Sequence, residues 1–141
     1  MLRRTSACAV TTVMLIAGLI GAAAPASAVS CTSPKVVYHT LIKNRGNTVG
    51  YVDLEYSVAC HSARAHVHSI YKAHPYDTHG AYGQIYRTTG STEKHCYVAE
   101  NKQDCTTGWI YDKDPYKAKA YGSIDMYPVN YDLAKATTPA Y

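Results

Sequence analysis

Residues 50–67 read GYVDLEYSVACHSARAHV. Apolar and polar side chains alternate on both sides of Cys60. Val52, Leu54 and Tyr56 fall on one face, with Tyr51, Asp53 and Glu55 on the other. Beyond the cysteine, Ala65 and Val67 face one way and Arg64, His66 and His68 the other. A period of two marks a half-buried strand, so the stretch predicts two strands joined by a short turn. Setting Leu54 opposite Val67 and Tyr56 opposite Ala65 buries one apolar face. It also places Asp53 near His68 and Glu55 near His66 on the wet face. A slip by one residue would bury the charges, so the register should be well specified.

The rest of the chain reads as sheet added to this hairpin. Residues 35–42, KVVYHTLI, are β-branched and aromatic, and Asn44-Arg45-Gly46-Asn47 supplies turn chemistry after them. Residues 72–80, KAHPYDTHG, are the most irregular loop. Residues 81–88 and 95–99 are the next two strands. Residues 106–112 form another, containing Trp109, and Asp114-Pro115 turns the chain. Residues 119–129 form a last strand, with Pro128 at its edge or end, and 130–141 read as a loose tail. No amphipathic helix and no internal repeat is visible. The expected fold is all-β, a small antiparallel barrel or sandwich of about six to seven strands.

Residues 1–28 have the layout of a secretory signal peptide. Arg3 and Arg4 precede an apolar core at 13–20, and Ala26-Ser27-Ala28 forms a small-residue cleavage site, cut after Ala28. The apolar run is too short to span a bilayer. The expected product is a secreted, monomeric single domain, residues 29–141, with no membrane attachment. A lipid anchor on Cys31 is the alternative. Such sites place Leu or a similar residue three before the cysteine, where Ala28 stands here, and the soluble chain is favoured.

The formal net charge is +4, half of it from Arg3 and Arg4, and the remaining charges form no block. That field is too weak to call for nucleic acid or an anionic membrane as a partner. Of five cysteines, Cys8 belongs to the leader and Cys31, Cys60, Cys96 and Cys105 remain. An even number in a small exported chain predicts two disulfides, with three possible pairings. The polar turn at 100–104 favours Cys96–Cys105, which leaves Cys31–Cys60. No cysteine pair has the close spacing of a zinc site. Fourteen tyrosines, one tryptophan and no phenylalanine suit half-buried strand faces with hydroxyls at the water. The sharper reading of the same composition is a binding face for sugar or polymer.

Val52-x-Leu54-x-Tyr56-Ser57, followed by Cys60 and Ala65-x-Val67, resembles the small secreted YjfA-like proteins of Gram-positive bacteria, actinomycetes especially. A weaker match covers 108–122, through Ile110-Tyr111-Asp112 and Ala118-Lys119-Ala120-Tyr121. Arg64 stands where that family carries Trp and His66 where it carries Arg. The family's early cysteine- and aspartate-rich segment is reduced to Cys31. The resemblance implies a secreted, disulfide-linked β domain and carries over no catalytic residue.

Three groups of residues are candidates for chemistry. His61, His66, His68, His74 and His79 form a histidine group. His66 and His68 share a strand face as metal ligands do, and His74 or His79 could fold over them. Against a metal, Asp53 and Glu55 on the same face would pair with imidazoles directly. Glu55 and His66, with Arg64 or Arg87, offer a base, an acid and a cation of the kind ribonucleolytic cleavage uses. The loop at 72–80 and the segment 106–109 could present Tyr76 and Trp109 as anchors of a binding module, although Trp109 also reads as the main core aromatic. No Gly-x-Ser-x-Gly, His-Glu-x-x-His or phosphate-binding glycine loop is present, and no cofactor is implied. The expectation is a non-catalytic protein that binds an extracellular protein or a cell-wall component. The alternatives are a ribonuclease-like hydrolase using the Glu55/His66 face and a protease-inhibitor-type binder.

Overall fold

The alternating stretch forms β2 (Asn47–Ser57) and β3 (Ser62–Ser69) of a computed structural model that describes residues 31–74, 80–126 and 133–141. β1 (Lys35–Asn44) joins β2 through the tight turn Arg45-Gly46, whose φ angles are 48° and 88°. Positive φ at both central residues matches the twist of the flanking strands, which is why a glycine sits there. Two short strands, β6 (Asp104–Thr106) and β7 (Ile110–Tyr111), pair with opposite ends of β3. The second sheet runs in the order β5 (Glu93–Tyr97), β4 (Ala81–Arg87), β8 (Ala118–Asp125), β9 (Leu133–Thr137). All pairings are antiparallel. The sheets pack face to face and do not close, so the sandwich is the architecture adopted.

The core explains how closely the sheets approach. Ile42, Val52, Leu54 and Val67 of the first sheet are fully buried. The second sheet answers with small residues, Ala81, Ala118, Ala120 and Ala134, and with Ile85 and Ile124 between them. At the centre, Gly83 and Gly122 lie opposite each other on β4 and β8. A methyl on Gly122 would stand 2.9 Å from Val52 Cβ and 3.0 Å from Ile42 Cδ1. The glycine therefore holds the space for the branched side chains across the interface. No aromatic ring among the described residues belongs to the fully buried set; Tyr38 and Tyr56 pack against its border.

Such a thin core is supplemented covalently. Cys96 on β5 and Cys105 on β6 are bridged, tying an edge of one sheet to an edge of the other. Cys31 is bridged to Cys60, which anchors the start of the described chain to the β2–β3 turn. Both pairs match the favoured pairing, and Cys31 is committed to a disulfide. Bridges of this kind persist in oxidising surroundings, as outside the cell. No helix among the described residues is long and apolar enough to cross a membrane.

Three expectations change. In the hairpin, Leu54 lies opposite Ala65, Tyr56 opposite Ala63 and Val52 opposite Val67. The turn between Ser57 and Ser62 is tighter than the sequence reading assumed, and the register moves by two residues. Two is a full period, so each side chain keeps its face while its partner changes. The single strand expected over 106–112 is interrupted at Thr107–Trp109. There the Thr107 hydroxyl accepts the Ala65 amide at 3.0 Å and the Thr107 amide donates to the Ala65 carbonyl at 2.9 Å. The tail is not loose where it is described: β9 pairs with β8, Thr138 is buried, and the Tyr141 amide donates to Ala118. The leader with its cleavage after Ala28, loop residues Tyr76 and His79, and Pro128 lie outside the described residues.

Candidate functional site

Alternation sends Tyr51, Asp53 and Glu55 of β2 and Arg64, His66 and His68 of β3 to the outer face of the first sheet. The register then decides what each meets. Asp53 lies across from His66 on one side and from His39 of β1 on the other. His39 Nδ1 is 2.6 Å from Asp53 Oδ1, and His66 Nδ1 is 3.7 Å from Asp53 Oδ2. Asp104 of β6, across from His68, lies 2.7 Å from His68 Nδ1 and 3.1 Å from His66 Nε2. Three histidines and two aspartates thus alternate across four strands. The Tyr51 ring lies among the imidazoles, with centroids 4.8 Å from His39, 5.0 Å from His68 and 5.9 Å from His66.

The electrostatics follow from this packing. Burial raises the Asp104 carboxyl, but hydrogen bonds and charge from His68 and then His66 outweigh it and hold the group below its usual value. Burial, with Asp53 and Asp104 nearby, pushes the Tyr51 hydroxyl up and keeps it neutral. Beside this row, Arg64 Nε is 2.5 Å from Glu55 Oε2, and the Arg64 guanidinium lies 4.5 Å above the Trp109 ring.

The sequence candidates therefore separate. Glu55 pairs with Arg64 and not with His66, correcting the acid–base pair expected from the register. Arg87 is on the other sheet, donating to the Tyr111 carbonyl at 2.8 Å. His66 and His68 converge on Asp104, and no three His, Cys, Asp or Glu side chains among the described residues are placed to hold a metal. His74 is exposed beyond the end of β3. Trp109 is half-buried under Arg64 and is not part of the fully buried core, because the broken strand carries it to the rim. His39 and Asp104 were missed, since each reaches the site from a strand remote in sequence. The only signal was the period-two pattern of KVVYHTLI, which puts His39 on a definable face.

Two further features were not located by the sequence, although its tyrosine content raised a binding face for sugar or polymer. On the outer face of the second sheet, Tyr82 lies 5.1 Å from Tyr97, 6.1 Å from Tyr121 and 6.2 Å from His95, measured between centroids. Tyr97 is 47% exposed. At one end of the sandwich a cavity of about 360 Å³ opens among the rings of Tyr56, Tyr116 and Tyr141, with His61 and Asp112 in its wall. Lys113, Asp114 and Lys117 complete the lining. Compared with known proteins, the chain matches no protein-family model, no curated protein and no solved structure.

Proposed function

We propose that the protein acts outside the cell by binding rather than by catalysis, with a cell-wall component as its partner. One observation carries this reading. On the alternating face, Glu55 is held by Arg64, His66 by Asp53 and Asp104, and His68 by Asp104. A general acid or base must exchange a proton with its substrate; both ring nitrogens of His66 face carboxylates and Glu55 is held by a guanidinium, so the Glu55/His66 couple is not poised for that exchange. The same pairing fixes the side chains in place, which lowers the entropy cost of binding. The tyrosine patch on the opposite sheet adds rings with polar tips, suited to glycan-like surfaces that are part apolar and part hydroxylated. The resemblance to secreted YjfA-like proteins supports the compartment.

The test incubates the disulfide-bonded protein with RNA, with insoluble cell-wall material and with culture supernatant. The expected result is co-sedimentation with the wall material and intact RNA. RNA cleavage that is lost in both Glu55→Gln and His66→Ala would overturn the proposal in favour of a ribonuclease-like hydrolase. Inhibition of a co-secreted protease, without wall binding, would replace it by the inhibitor reading.

A further inference from the structure

The end cavity shares no residue with either outer face. Asp112 is 5% exposed, and neither of its carboxylate oxygens has a hydrogen-bond partner among the described residues. Its backbone is fixed: the Asp112 amide donates to the His61 carbonyl at 2.8 Å, and His61 itself has φ 45°. A left-handed conformation at a non-glycine residue costs free energy and is maintained here beside the cavity. None of the neighbouring cations among the described residues bonds the carboxylate. Arg87 donates to the Tyr111 carbonyl and lies 4.3 Å over the Tyr116 ring. Lys113 and Lys117 are exposed at the rim, with Asp114 between them in sequence, and neither bonds Asp112. The Ala118 amide donates to the Tyr141 carbonyl at 3.2 Å.

We infer that this cavity is a binding site for a ligand carrying a protonated primary amine, with the ammonium on Asp112 and its carbon skeleton against the rings of Tyr56 and Tyr141. A buried carboxylate without donors requires an incoming group that brings both positive charge and N–H bonds. The two rings, 5.0 Å apart between centroids, favour a cation through their π faces and cover apolar atoms attached to it. A quaternary ammonium would satisfy the rings and leave both oxygens without donors. A bare metal ion needs several ligands together, and no three His, Cys, Asp or Glu side chains among the described residues are placed to supply them. The cavity is larger than an ammonium group alone, so the ligand extends beyond it.

The experiment titrates the disulfide-bonded protein at pH 7.5 with n-butylammonium, glucosamine and choline, following the NMR signals of His61, Tyr56 and Tyr141. Saturable shifts with n-butylammonium or glucosamine are expected, and the stronger of the two identifies an alkylamine or an amino sugar as the skeleton. Choline should bind at least tenfold more weakly. Asp112→Asn, which removes charge without removing volume, should weaken the amine at least tenfold. Tyr141→Ala should weaken it severalfold while leaving the melting transition in place. Equal binding of choline, undiminished binding in Asp112→Asn, or no saturable shift with either amine would overturn the inference. Because none of these residues belongs to the outer faces, the result is independent of wall binding.

Discussion

At neutral pH the Asp112 carboxyl is ionised in surroundings that penalise its charge. Burial, partly offset by the nearby Ala118 amide, whose hydrogen bond goes to Tyr141, and by the charges of Arg87 and Lys117, pushes it up from 3.8 to about 6. The folded protein keeps this proton in a range where the unfolded chain has released it. Stability from this group therefore falls as pH rises from about 4 to about 6 and stays lower above that. A displacement of this size corresponds to roughly 3 kcal/mol. Asp112→Asn is expected to stabilise the protein by up to roughly 3 kcal/mol at pH 7.5 in urea unfolding, with the advantage vanishing near pH 3.5. An equal effect at both pH values would contradict the burial account. Asp104 works in the opposite sense. His68 and His66 lower it, so its contribution is present above its ordinary value and fades as pH falls below it. Neither behaviour was legible in the sequence. Asp112 sits beside Trp109-Ile110-Tyr111 as an unremarkable polar residue, and its cavity is assembled from three separate segments.

Among the elements, one device recurs at the edges of both sheets. Thr107 bonds both backbone groups of Ala65 on β3, and Thr138 does the same to Ala120 on β8. In each case a hydroxyl replaces the carbonyl that a continuing strand would have presented. Thr107→Val keeps the volume and leaves the buried Ala65 amide unpaired. It is expected to cost about 1–3 kcal/mol in chemical denaturation; a change below about 0.5 kcal/mol would show that the ladder does not need the hydroxyl. Gly122→Ala tests the interface between the sheets. With Val52, Ile42 and Val67 all within 3.1 Å of the added methyl, overpacking is expected to lower stability by about 1–3 kcal/mol. A gain in thermal stability there would mean that the sheets can separate without penalty. Strand faces were legible because the side-chain period is two. Register was not, because moving Leu54 from Val67 to Ala65 leaves every face unchanged. That slip is what pairs Glu55 with Arg64 and decides against the expected acid–base couple.

For the whole molecule, the balance lies between a thin, alanine-rich core and two covalent ties. Small exported domains commonly need such ties because their buried area is limited. The bridged cysteines are separated by 29 and 9 residues. By loop entropy, replacing Cys31 and Cys60 by Ser should cost about 1 kcal/mol more than replacing Cys96 and Cys105, each loss lying at roughly 2–4 kcal/mol. The reverse order would show that tying one sheet edge to the other matters more than loop length. The bridges and the all-β class were legible from composition and spacing. The choice of sandwich over barrel, and the convergence of His39 and Asp104 on the outer face, depend on contacts between strands far apart in the chain. The proposal that this molecule works by binding is tested most directly by a saturation isotherm on insoluble cell-wall material, comparing the unaltered protein with Tyr97→Ala. The predicted result is saturable binding that Tyr97→Ala weakens about tenfold or more with little change in melting temperature. Binding that never saturates, or that is indifferent to the loss of the Tyr97 ring, would contradict it.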